Sequence, residues 1–158
     1  MGVFRVMLKH SRLLLLSLFL LLTGCSNLLV GDKPPPFYIV IDGIEYETKL
    51  GSYCWTDNGN GICSDVSGVL DLLENEPPIS VKPNETIQFK LELKPSVVSL
   101  AQVEQNNKEI EVPIINNEIK APADKGIYYY AYSCWWMDKK EKDTSLGDAY
   151  YAFAIEVE

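Results

Sequence analysis

"GIYYYAYSCWWM", residues 126–137, and "DAYYAFAIEVE", residues 148–158, decide the fold. In the second stretch Ala149, Tyr151, Phe153, Ile155 and Val157 share one side of an extended chain. Tyr150, Ala152, Ala154 and Glu156 share the other. Period-2 alternation means a strand, because successive side chains point to opposite faces of a sheet. The first of those faces is apolar throughout and belongs against a core. Residues 126–137 are aromatic on both faces, which a strand with one wet face does not need. Between the two runs lies "DKKEKDTSLG", where Asp138, Glu141 and Asp143 mix with Lys139, Lys140 and Lys142. That composition belongs to a solvated loop.

Upstream, most runs also read as β. "FYIVIDGIEYETKL", residues 37–50, holds two β-rich runs around Asp42-Gly43, a strong hairpin signal. "PPISVKPNETIQFKLEL", residues 77–93, alternates Ile87, Phe89, Leu91 and Leu93 against Gln88, Lys90 and Glu92, a half-buried strand. "KEIEVPIINNEIKAP", residues 108–122, gives two further runs about an Asn116-Asn117 turn. The one helical candidate is "SGVLDLLENE", residues 67–76, with Ser67 in position to cap it. Short strands separated by turn residues predict an all-β chain folded as an antiparallel β-sandwich.

From Pro78 onward the chain resembles an immunoglobulin-like domain. "ISVKPNETIQFKLEL" is similar to the opening strands of such domains. Asp124-Lys125-Gly126-Ile127-Tyr128 resembles the D-x-G-x-Y run of a tyrosine corner, whose Tyr hydroxyl bonds back to the chain upstream. The pattern departs at Tyr130, which stands where immunoglobulin domains carry a cysteine, so their inter-sheet disulfide is not implied. A tyrosine corner implies that Tyr128, Tyr130, Tyr132, Cys134 and Trp136 turn inward. Ile127, Tyr129, Ala131, Ser133 and Trp135 then turn outward. On that outer face Tyr129 and Trp135 can lie across Ala152 and Ala154 beside Tyr150. Two readings follow. Either the N-terminal hairpin covers these rings as a second small core, or they form an exposed aromatic surface suited to a glycan, a peptide strand or a partner protein.

The N-terminus sets the compartment. Arg5, Lys9 and Arg12 precede "LLLLSLFLLL", residues 13–22. That run is shorter than the roughly 20 apolar residues a spanning helix needs, and it fits the apolar region of a secretion signal. Leu22-Thr23-Gly24-Cys25 follows and resembles the bacterial lipobox, in which the cysteine thiol is joined to a diacylglycerol. The resemblance implies a signal peptide over 1–24 and a lipid-anchored protein on the extracytoplasmic face of the cell membrane, attached through Cys25. Residues 25–36 then form a Pro-rich tether, and a single β domain occupies 37–158. Within it, 37–76 is a hairpin and clip and 77–158 the immunoglobulin-like part.

Cleavage there removes His10, the only histidine, together with Arg5, Lys9 and Arg12. The remaining 11 lysines face 22 acidic residues, a formal charge of −11. Such a chain lacks the basic footprint of a nucleic-acid binder, and it retains no imidazole for a triad. No cofactor is expected.

"GSYCWTDNGNGICSD", residues 51–65, places Cys54 and Cys63 around a Gly/Asn-rich turn. Outside the membrane a spaced pair is most simply a bridge. Zinc is disfavoured because a closed site needs four ligands and only Cys54, Cys63 and Cys134 remain. A calcium loop needs oxygen ligands at alternate positions, and Gly59 and Gly61 supply none from their side chains. No metal is therefore expected. Cys134 is left either as a buried apolar thiol or as a partner of one of the other two. This segment resembles a G-S-Y-C-W…C-x-D pattern of small secreted or lipid-anchored proteins of Gram-positive, Bacillus-like bacteria, a group with no established activity to carry over.

Three classes of function remain. The first is a non-catalytic binding or interaction module of the cell envelope, meeting a protein or glycan. The second is an accessory subunit of a membrane complex. The third is a hydrolase resting on carboxylates such as Asp57, Asp65, Glu74 and Glu76, the least favoured because none sits in a recognised catalytic motif.

Overall fold

A computed structural model describes residues 29, 31–57, 60–141 and 143–158. Residues 1–24, expected as a signal peptide, and Cys25 lie outside the described residues. The chain forms β1 (Phe37–Ile41), β2 (Ile44–Glu47), β3 (Lys49–Asp57), β4 (Asn60–Ser64), α1 (Val69–Leu72) and β5 (Ile79–Val81). It continues with β6 (Thr86–Leu91), β7 (Val97–Val103), β8 (Glu109–Glu111), β9 (Glu118–Lys120), β10 (Gly126–Met137) and β11 (Ser145–Val157). Two sheets face each other, one ordered β2-β1-β6-β9 and the other β4-β3-β11-β10-β7-β8. The small β5 joins the far end of β11, the one parallel pairing among the described residues. The described residues form an antiparallel β-sandwich with one short helix.

Local chemistry accounts for the turns. Asp42 and Gly43 both take positive φ, 49° and 79°, the conformation that a two-residue hairpin requires. Asn116 and Asn117 do the same at 53° and 64°, and the Asn117 side-chain amide donates to the Phe89 carbonyl at 2.6 Å. The runs flanking that turn do not form a full hairpin, however. Ile115 bridges Glu118, but β8 joins β7 in one sheet and β9 joins β6 in the other. Pro113, with no N–H to give, lies between them and suits a crossing rather than a ladder.

Thr48 is the corner at which the N-terminal chain changes sheets. It is buried, and both its N–H and its hydroxyl donate to the Phe37 carbonyl, at 3.0 and 2.9 Å. Strand β1 therefore pairs with β6 in one layer, while β3 pairs with β11 in the other. The N-terminal hairpin lies opposite the inner face of β10–β11. This corrects the first reading of the outer rings, because residues 37–47 cannot cover a face they do not reach.

The core is aromatic. Tyr130, Tyr132, Cys134 and Trp136 all turn inward and are buried, as are Ala149, Tyr151, Phe153, Ile155 and Val157. Phe37 stacks on Tyr132 at 4.3 Å between centroids, Tyr130 stacks on Phe153 at 5.1 Å, and Trp55 meets Trp136 edge-on at 4.9 Å. The tyrosine corner closes as its pattern implies, with the Tyr128 hydroxyl donating to the Asp124 carbonyl at 2.9 Å.

The sequence places the start of order at Phe37, but packing begins earlier. Leu29 is only 8% exposed within the core cluster, and Pro34 is buried. The Trp55 indole N–H donates to the Gly31 carbonyl at 3.0 Å, and the Tyr151 hydroxyl to that of Pro35 at 2.6 Å. Buried tyrosine and tryptophan need a partner for their polar ends, and this leading segment supplies it. Gly147 is part of the same fit, since a Cβ there would stand 2.6 Å from the Trp55 ring and 2.9 Å from Leu29.

Candidate functional site

The outer face of the larger sheet carries the residues that the sequence singles out. Register sorts them into rows. Cys63 lies opposite Cys54, Cys54 opposite Asp148, Asp148 opposite Trp135, and Trp135 opposite Val97. One step along the strands, Tyr150 lies opposite Ser133 and Ser133 opposite Ser99. The next row runs Lys49, Ala152, Ala131, Ala101.

That alanine row receives α1. Val69 and Leu73 pack on Val103, Ala131, Ala152 and Ala154, with Tyr129 and Tyr150 at the margin of the same cluster. Small side chains in the sheet let a one-turn helix sit close enough to exclude water. The helix begins at Gly68, which is extended and makes no side-chain cap. Ser67 is not the cap that the sequence suggests. Its carbonyl instead accepts the Tyr150 hydroxyl at 2.9 Å. The Tyr150 ring lies over Gly51, where a Cβ would approach it to 2.1 Å. Burial raises the Tyr150 hydroxyl above its ordinary pKa.

The three-ring surface of Tyr129, Trp135 and Tyr150 is therefore divided. Tyr129 and Tyr150 serve as walls of a small second core, covered by α1 rather than by the N-terminal hairpin. Trp135 lies outside that cluster, half-buried, beside Val97 at 52% exposure. The structure brings Trp135 into one row with Asp148, Val97 and the cysteine pair. The sequence holds Asp148 and Val97 without marking them, because only strand register reveals the row.

Cys54 and Cys63 form a disulfide across β3 and β4, with Cα atoms 4.1 Å apart and both residues exposed. Directly opposed positions on an edge hairpin make this pairing the nearest available. Cys134 is free and fully buried. Burial pushes its thiol up to about 12, so it stays protonated and out of reach. The alternatives left open by the sequence resolve to the buried apolar thiol.

The carboxylates of the hydrolase reading are dispersed. Asp65 accepts from Ser52 at 2.9 Å, and Glu76 pairs with Lys49 at 2.7 Å. Glu74 is exposed. A polar cavity of about 350 Å³ opens between β2 and the α1–β5 segment, walled by Glu45, Glu47, Lys49 and Glu76. Glu45 is held there by Lys90 at 2.7 Å.

Fold and site together define a small β-sandwich with a clipped edge and a half-open outer face. No protein-family model matches the chain, and comparison with curated proteins and with solved structures finds no significant match.

Proposed function

We propose that this is an extracytoplasmic, lipid-anchored and non-catalytic contact module of the bacterial cell envelope. The observation that carries the contact reading is the open strip of the outer sheet face. There Trp135 and Val97 adjoin in a row that α1 leaves uncovered. A part-buried tryptophan with an exposed apolar neighbour on a sheet face is a ready anchor for a partner, since such rings dominate protein contacts. The four groups raised furthest in proton affinity, Tyr130, Tyr132, Tyr151 and Cys134, are sealed in the core and do not line that strip. The anchor reading is supported by the apolar run over 13–22 and by Leu22-Thr23-Gly24-Cys25.

Two arms test the proposal. Cys25→Ala should abolish fatty-acid incorporation and shift the protein from the membrane fraction to the soluble one; retention without the acyl group contradicts the anchor. A photo-crosslinking residue at position 135 should capture an envelope component in living cells, whereas one at Ile127, exposed at the other end of β10, should not. Equal capture at both positions contradicts the contact strip.

A further inference from the structure

The geometry points to one end of the sandwich as its membrane-facing end, the end that carries the β3–β4 and β10–β11 tips. This rests on acylation of Cys25 and extends it to the orientation of the folded body. The docked leading segment is the first observation. Leu29 is packed in the core cluster, next to Trp55 and Gly147. From there Gly31 and Pro35 are held by the Trp55 and Tyr151 side chains. Only four Cα steps separate Leu29 from Cys25, a reach of about 14 Å at full extension. An anchor at Cys25 therefore cannot let the body swing freely.

Strand direction shows which end this is. Trp55 precedes the β3–β4 tip, where Asp57 pairs with Asn60. Gly147 follows the β10–β11 tip and pairs with Trp136. The segment 92–96 arrives at the same end, since the Trp136 indole donates to the Leu93 carbonyl at 3.1 Å. The turns at 42–43, 82–85, 104–108 and 121–125 lie at the opposite end.

Charge supplies a second and independent observation. The described residues of segments 31–36, 92–96 and 137–145, with Asp57 and Asn60, hold four lysines against six acidic residues, a formal −2. The opposite turns with Glu158 hold three lysines against five acidic residues, −2. The flanks hold three lysines and eleven acidic residues, −8 of the −12 carried by the described residues. Anionic headgroups repel such flanks within a Debye length, about 8–10 Å. The body then stands on an end, and the short link selects which one. Trp135, two residues before β10 closes at Met137, consequently faces sideways near the membrane surface. A partner using that strip is itself membrane-embedded or membrane-apposed. The cavity of about 250 Å³ lined by Asp42, Ile44, Ser80, Lys82 and Glu85 opens away from the membrane.

The test places a fluorescent amino acid at Lys140 or at Asn107 in the acylated full chain. The protein is bound to vesicles of phosphatidylcholine and phosphatidylglycerol carrying a headgroup-linked energy acceptor. The two positions are separated by roughly the length of β10 and β11, about 40 Å. Transfer should be several-fold stronger from position 140. Equal transfer, or stronger transfer from position 107, in a protein that floats with the vesicles overturns the orientation alone. Failure of the wild-type chain to acquire the acyl group and float overturns the anchor and the orientation together.

Discussion

The two faces of β10–β11 carry comparable aromatic patterns and meet different fates. Inward, Tyr130, Tyr132, Trp136, Tyr151 and Phe153 are buried beneath a full second sheet. Outward, Tyr129 and Tyr150 are only half-covered by a one-turn helix, and Trp135 is left beside Val97. Alternation alone states which residues share a face. It does not state what lies on that face, because cover is decided by distant segments. Thr48 is what sends β1–β2 to the inner layer and leaves the outer one to α1.

This contrast yields a graded set of outcomes. Phe153→Ala removes a ring from the sealed face and should destabilise by about 3–5 kcal/mol in urea unfolding, the range for such core truncations. Replacing Cys54 and Cys63 together by Ser opens a short loop and should cost about 2–3 kcal/mol. That variant should keep the spectroscopic signature of the sandwich, since the clip lies on an exposed edge. Leu73→Ala, beneath the thinner cover, should fall near about 2 kcal/mol, the lower end for buried leucine. A cost equal to that of Phe153→Ala would mean the outer cluster is as tightly sealed as the inner. Trp135→Ala should change stability by less than about 1 kcal/mol while reducing partner capture.

Alkaline pH addresses the sealed face separately. Burial raises the Cys134 thiol from 9.0 to about 12 and raises the hydroxyls of Tyr130, Tyr132 and Tyr151 as well. The unfolded chain releases these protons first. Their contribution to stability is complete below the unfolded values and declines as pH rises from about 9 toward 12. The urea midpoint should fall between pH 8 and pH 10.5, and Cys134→Ala should lessen that fall. A midpoint unaffected by pH in the wild type would show that these groups are solvated.

Much of the architecture was legible because it rests on local rules. The Asp42-Gly43 turn, the core face of β11 and the tyrosine corner at Tyr128 each follow from a few adjacent residues. The Cys54–Cys63 pairing follows from two cysteines on either side of a turn. What escaped depends on contacts between remote segments. Pro34 and Leu29 read as tether because prolines favour extension, yet Trp55 and Tyr151 required carbonyl partners and found them there. Ser67 reads as a cap by residue type, but its carbonyl is engaged by Tyr150 from 83 residues away. Of the candidate site, Trp135 was visible and its row-mates Asp148 and Val97 were not.

Covalent state is decisive, and one measurement reads it whole: the intact mass, without reductant, of the full-length protein recovered from the cells that express it, followed by peptide mapping. The expectation is a chain beginning at an S-diacylglyceryl Cys25, with Cys54 bridged to Cys63 and Cys134 free. A chain still bearing His10, an unmodified Cys25, or Cys134 bridged to either clip cysteine would contradict it.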